Sequence, residues 1–561
     1  MAGLIDRLRW VRSRETLRTI LTESSPVDFT IVGRTLMHAA IVGAAAGLVG
    51  AAFFAGLEYL QRILLEDLGG YHILRAAGEN FLPAMSRPHH FRPWLLVLLP
   101  AGGALASGII SQLAPETRGG GGDAMIEAFH HHGGFIRKRV IWVKTLASLF
   151  TLGSGGSGGR EGPTMQIGAA LGSRVGWLLR VSPPERRILM VAGVAAGIAA
   201  VFRTPLGAAL LAVEVLYRDD FESEALIPAV LASVISYSVV ISIFGESTLF
   251  AQPNRFPFVP AHLPLYGLMA LMVALLAYLF LRTLRTVQAI SLRLTVPDWA
   301  KPAVGGLALG VFAMPLILLV GWQIGQPGQG VGLLGGGYGA VQIAISGAAW
   351  LPSGWSAVAL LAGLCIAKVF ASSLTIGTGG SAGDFAPSLV IGGLFGGAFG
   401  RAIQLISDDP RINPAAFALI AMGTFYGGLA HAPLSSLIIV CELAGSYDLL
   451  VPLMLTEGIA FIALRRYSLY QAQLPTRRQS PAHSDDSGMP GAPPQATPAS
   501  PAMAKGAQEP ATTTPVVSSE AASGPDVARA PLTEPVLQGA IDPVIDPVID
   551  PVIDPGPTEP R

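Results

Sequence analysis

Glu161 is the one carboxylate inside GSGGSGGREGP, a glycine run at 153–163 that ends in Pro163. Glycines let the backbone close on a ligand, and a proline suits the first turn of a helix. A helix starting there presents unpaired N–H groups and about half a positive charge to whatever lies before it. That is chemistry for an anion. The Glu161 carboxylate can fill the same nest of amides: ionised it competes with an anion, and protonated it can leave. A proton-sensitive gate and a plain helix cap are both open on this chemistry. GDFAP at 383–387 puts Pro387 in the role of Pro163.

The two turns belong to one duplicated passage. Residues 144–172 and 368–396 align without a gap at an offset of 224 and are identical at 13 of 29 positions, among them Lys144/Lys368, Ser148/Ser372, Gly159/Gly383 and Pro163/Pro387. A second pair follows: Pro205-Leu206 with Glu214, and Pro433-Leu434 with Glu442. A hydrophobic chain that repeats itself once is organised as a transporter of two homologous halves. Two helix starts brought together near the bilayer midplane hold an anion without burying a full cation in lipid. Lys144 and Lys368 attract anions or snorkel from a helix end, and Glu214 and Glu442 cap neighbouring loops or handle protons.

The elements that must position these groups are membrane helices. Of 561 residues, 51% are hydrophobic and 13% charged, against roughly a quarter charged in soluble domains. Apolar runs recur at 35–57, 94–113, 188–217, 226–244, 262–281, 303–321, 356–375 and 449–464. Several reach the ~20 residues that cross hydrocarbon, and others are cut short by Gly or Pro. The fold class is an all-α polytopic membrane protein. We divide it into a basic leader (1–30), two transmembrane halves (31–245 and 262–470) and a disordered Pro/Ala/Ser-rich tail (475–561) ending in tandem IDPV. Arginines before the first span and after the last place both termini in the cytoplasm by the positive-inside rule.

Several classes fall away. Gly153–Gly158 fits G-x-G-x-x-G, but between membrane segments and with no acid some 20 residues on, so no nucleotide site is expected. Balanced charge gives no case for nucleic acid, and adjacent His130, His131 and His132 read as a polar linker, not metal ligands. No cofactor is expected. A membrane enzyme using Glu161 as base is the distant alternative, lacking a paired acid or a nucleophile–base set.

Gly159-Arg160-Glu161-Gly162-Pro163 resembles the GREGP signature of the CLC chloride channel and transporter family, bacterial type, and Gly383–Pro387 resembles its GxFxP motif. The resemblance covers about 31–472. It implies an inverted repeat of tilted, broken helices, a homodimer in an inner or plasma membrane, and a separate chloride pathway in each subunit. It makes Glu161 the gate and lines the pathway with Gly120, Gly121, Arg160, Glu161, Gly162, Asp384, Phe385, Ala386 and Tyr470. Two departures stand out. RGGGGDAMIEAF at 118–129 puts Gly120 where a pore serine is common, and Asp123 and Asp384 are expected to cap helices with their side chains turned away. Beside Glu214, Val215 occupies the inner-proton position and cannot carry a proton, although Glu222 and Glu224 are near. The reading therefore leans to a passive chloride channel, with a chloride/proton antiporter as the alternative.

Overall fold

Apolar runs broken by Pro and Gly become helices of uneven length. The structure, a computed structural model, describes residues 29–79, 90–250, 256 and 258–483. Among the described residues there are sixteen α-helices and no β-strand. The first eight are α1 (Phe29–Gln61), α2 (Leu95–Ile110), α3 (Gly122–His131), α4 (Arg139–Gly153), α5 (Glu161–Leu178), α6 (Pro183–Phe202), α7 (Pro205–Glu214) and α8 (Leu226–Phe244). The second eight are α9 (Leu263–Arg293), α10 (Lys301–Gln323), α11 (Tyr338–Ser346), α12 (Trp355–Gly377), α13 (Phe385–Ser407), α14 (Pro414–Ala430), α15 (Pro433–Ala444) and α16 (Leu450–Leu464). Each helix of the first set has its counterpart eight places on. Seven helical stretches are long and apolar enough to cross a membrane, while α7, α14, α15 and α16 are shorter apolar helices.

Proline explains the break that the apolar run 188–217 conceals. Pro205 lacks an N–H and disfavours helical backbone in the residue before it. The chain accordingly leaves α6 through Arg203, at φ 60°, and starts α7 at Pro205. The second half does the same through His431, at φ 56°, before Pro433. Small residues then set how closely helices pack. A Cβ on Gly168 of α5 would lie 2.1 Å from the Gly193 carbonyl of α6, and a Cβ on Gly193 would lie 2.1 Å from the Gly168 carbonyl. The counterpart contact in the second half is Gly392 against the Ala421 carbonyl, at 2.4 Å.

The halves are related by a local two-fold, visible in hydrogen bonds that exchange partners. The Gly159 N–H donates to the Gly383 carbonyl at 2.7 Å, and the Gly383 N–H returns a bond of 2.7 Å to Gly159. Ser148 meets Ser381 at 2.9 Å and Ser157 meets Ser372 at 3.1 Å, two contacts that the 224-residue offset interchanges. The Glu214 carboxylate accepts from the Leu434 and Ser435 amides at the start of α15. Glu442 accepts from the Leu206 and Gly207 amides at the start of α7. Both glutamates therefore cap helices, each in the opposite half.

Two boundaries move. Residues 475–483, assigned to the tail from their polar composition, are folded. The Arg218 and Asp219 amides donate to the Leu474 and Pro475 carbonyls at 3.0 Å, and Arg477 pairs with Glu222. Ser480 meets His130 at 2.8 Å, and the other ring nitrogen of His130 meets the Leu216 carbonyl. His130 is thus a buried residue of α3, not part of a polar linker. Partnered polar groups fold a segment that apolar periodicity alone misses. The leader before Phe29, the joining residues 251–255 and the tail beyond 483, with its IDPV run, lie outside the described residues.

Candidate functional site

The reciprocal Gly159–Gly383 bonds bring the starts of α5 and α13 to one point. Neither start is capped by a side chain: Arg160 and Asp384 hold the N-cap positions without a side-chain bond to the helix. Glu161, Gly162, Phe385 and Ala386 are buried there. Free first-turn amides at two buried helix starts are what an anion needs. The third element is the loop before α3. A Cβ on Gly162 would lie 2.6 Å from the Gly120 carbonyl and 2.7 Å from the Gly383 Cα, so all three backbones touch.

Glu161 lies at this junction with no accessible surface. The Tyr338 hydroxyl, at the start of α11, donates to its Oε1 at 2.6 Å, and the Arg160 guanidinium stands 3.8 Å from the same oxygen. Oε2 has no partner and lies over Gly159, where a Cβ would be 2.2 Å away. The gate position is therefore occupied, and one hydroxyl holds it. Tyr338→Phe keeps the ring and removes that bond, whose net worth to a charged group is ~1.5 kcal/mol or more. We expect chloride flux to rise by about three-fold, read as efflux from liposomes, if half or less of that energy appears in the barrier.

Beyond Tyr338 lies a cavity of about 40 Å³, room for a water or two, lined by Glu58, Glu79, Arg75 and Arg160. Arg160 bonds Glu79 at 2.9 Å, and Arg75 pairs with Glu58 and Glu66. This cluster and Tyr338 were missed in the sequence. Extending the repeat would have found Tyr338, because Gly335-Gly336-Gly337 is the counterpart of Gly119-Gly120-Gly121, with Gly337 at φ 90° and Gly121 at φ 92°.

On the other side of the junction the structure corrects one expectation. Asp123 does turn away, accepting from the Ala472 amide at 3.0 Å. Asp384 does not. Its carboxylate lies beside Gly120, 3.3 Å from where a Cβ there would be, and the Tyr470 hydroxyl reaches its Oδ1 at 3.4 Å. A residue without a side chain at 120 leaves the space, and the Asp384 carboxylate takes it. Tyr470 also meets Tyr426 at 3.5 Å, and its ring rests where Gly122 has no side chain.

The paired lysines do not snorkel from their helix ends. Both are fully buried. Lys144 donates to the Thr117 and Gly119 carbonyls, and Lys368 to those of Gly332, Leu333 and Gly335. They clamp the two glycine loops that carry Gly120 and Tyr338 to the junction. On the inner side Val215 is buried with its carbonyl held by Gln473. The nearby acids are engaged: Glu222 with Tyr217, Arg477 and His483, and Glu224 with Arg477. Among the described residues no cluster of His, Cys, Asp or Glu is suited to a metal ion.

Comparison with known proteins gives consistent results. The family profile described as voltage gated chloride channel matches residues 102–465. The chain is 29% identical over 446 residues to the H(+)/Cl(-) exchange transporter ClcA of Vibrio campbellii, covering 78% of this chain and 87% of that protein. It is 29% identical over 429 residues to the exchange transporter of the same name from Yersinia pestis, covering 75% and 82%. In fold it is similar to a slow cyanobacterial Cl-/H+ antiporter (TM-score 0.63, 23% identity, 77% of this chain and 94% of that one). It is likewise similar to a CLC-type fluoride/proton antiporter (TM-score 0.64, 21% identity, 81% and 100%).

Proposed function

Because the chain belongs to the voltage-gated chloride channel family, we propose that it exchanges chloride for protons across the membrane. The observation that carries this reading is Glu161, a buried carboxylate closing the junction of two uncapped helix starts with one oxygen unpaired. For an anion to pass, that carboxylate must be displaced, and protonation is the chemistry that releases it from an electropositive nest. Amides at Arg160, Glu161, Gly162, Asp384, Phe385 and Ala386 would then face the anion, with Gly120, Gly121 and Tyr470 around it.

The sequence argument leaned to a passive channel because Val215 carries no proton. The matched relatives are named as exchangers, and this supports the antiport alternative over that lean. Val215 says only that one position lacks an acid. Chloride as the anion and cytoplasmic termini belong to the same proposal, the latter supported by Arg465 and Arg466 after α16. So does a homodimer: α7, α8, α15 and α16 expose Leu206, Ile227, Val234, Leu434, Val451 and Ile462, a face that a second copy would cover.

The test is paired chloride and proton flux in liposomes holding the purified protein, with and without Glu161→Ala. Chloride running down its gradient should drive protons uphill in the parent, and the variant should keep chloride flux and lose proton movement. Chloride flux without proton movement in the parent would make the protein a channel. An unchanged variant would remove Glu161 from the gate.

A further inference from the structure

Glu457 stands in the middle of α16, 2% exposed, and neither carboxyl oxygen has a hydrogen-bond partner. No cap, ion pair or loop explains it, unlike Glu214, Glu442, Glu222 and Glu224. An ionisable group left unpaired inside a membrane helix is costly and marks a pathway by default. Space is reserved for it: a Cβ on Gly427 of α14 would lie 2.2 Å from Oε2, and one on Gly423 would lie 3.3 Å from Oε1. The Ser436 hydroxyl is close by but donates to the Gly423 carbonyl at 2.8 Å, so it offers lone pairs, not a proton, to its other neighbours. A neutral carboxylic acid can donate to such an oxygen and an ionised one cannot.

Its place in the fold ties it to the position that lacks an acid. Gln473 bonds both the Val215 carbonyl at 2.9 Å and the Ala430 carbonyl at 2.8 Å, which sets Val215 against the end of α14. Gly427 is three residues before Ala430, a rise of ~4.5 Å. Tyr426, the next residue on α14, packs its ring 4.1 Å from Phe385 and meets Tyr470. Glu457 thus lies against α14 at the level of Tyr426, beside the anion route and about one helical turn from the level of Val215.

We propose that Glu457 is the inner proton-binding site of this chain, supplied from α16 where Val215 leaves the usual place empty. The proposal rests on the exchange reading above. Few ionisable groups compete with it. Glu214 is the acid in electrostatic reach and is held by the α15 amides. On α15 Glu442 is held by the α7 amides, on α14 Tyr426 pairs with Tyr470, and on α9 Tyr266 stacks on Phe417 and Tyr278 meets Tyr467 edge to face.

The test compares Glu457→Gln and Glu457→Met with the parent in the same liposomes, with chloride and proton fluxes read together. Glutamine keeps the shape and removes the proton; methionine also removes the unmet polar group, so it does not destabilise by leaving one buried. In both, proton transport should fall by about five-fold or more while chloride flux stays within about two-fold, as expected for loss of a relay acid. Parent-like proton coupling in either variant overturns the proposal, and so does equal loss of both fluxes, which would mark a structural role. A parent that moves chloride but no protons defeats the exchange reading instead, and the two failures are distinguishable.

Discussion

Asp384→Asn should bind chloride about thirty-fold more tightly than the parent, measured by calorimetry in detergent in alkaline buffer, where the parent's carboxylate is ionised. The reasoning is electrostatic. The carboxylate lies beside Gly120 with Tyr470 on its Oδ1, on the route a chloride must take. Two like charges ~4 Å apart at an effective dielectric of about 20 repel by ~4 kcal/mol, and half of that is roughly thirty-fold in affinity. Lys144, in electrostatic reach of the carboxylate, absorbs part of the difference. Asparagine keeps the shape and the contact with Tyr470 and removes the charge. Acid should bring the parent toward the variant, because a protonated Asp384 no longer repels the anion. Equal affinities in alkaline buffer would mean that the carboxylate lies off the route.

The second large effect is on stability. Lys368→Met leaves the Gly332 and Leu333 carbonyls without a donor in a fully buried place, while the Gly335 carbonyl keeps the Gly158 amide. Each orphaned acceptor costs about 1–3 kcal/mol, so a loss of roughly 2–6 kcal/mol is expected, less whatever burying the lysine costs the parent. Lys144→Met orphans the Gly119 carbonyl alone, because the Thr117 carbonyl keeps the Ser381 hydroxyl, and should lose about half as much. Denaturant midpoints in detergent rank the pair. Gly337, the residue before Tyr338, packs its Cα against the Lys368 ammonium, 3.0 Å from where a Cβ would point. The gate should therefore loosen in Lys368→Met and hold in Lys144→Met, so flux separates the two where stability only ranks them. Lys368→Met as stable as the parent would sink the clamp.

What the sequence disclosed follows from what repeats and periods encode. The duplication, the helix starts at Glu161 and Phe385 and the apolar runs are local patterns, and the structure keeps them. The break between α6 and α7 was legible in Pro205 but hidden by the hydropathy of its neighbours. Other features depend on contacts between distant segments. Asp384 turns toward the junction because Gly120, far off in sequence, leaves space. Tyr338 matters because Glu161 is beside it. Glu457 is a lone charge inside the apolar run 449–464, and only Gly423 and Gly427 on another helix show that it is enclosed. Val215 shows that one position lacks an acid and says nothing of acids on other helices.

The exchanged glutamates set a schedule for synthesis. The amide at Leu206 waits for an acceptor that lies 236 residues later in the chain. At translation rates of about 5–20 residues per second, that interval is roughly 10–50 s. Throughout it the first half has a helix start with unmet donors, and lipid cannot satisfy them. Neither half can reach its final arrangement before the other emerges. A ribosome stalled past residue 245 would thus leave the membrane holding a half-protein with a polar wound, the sort of species that quality-control proteases recognise.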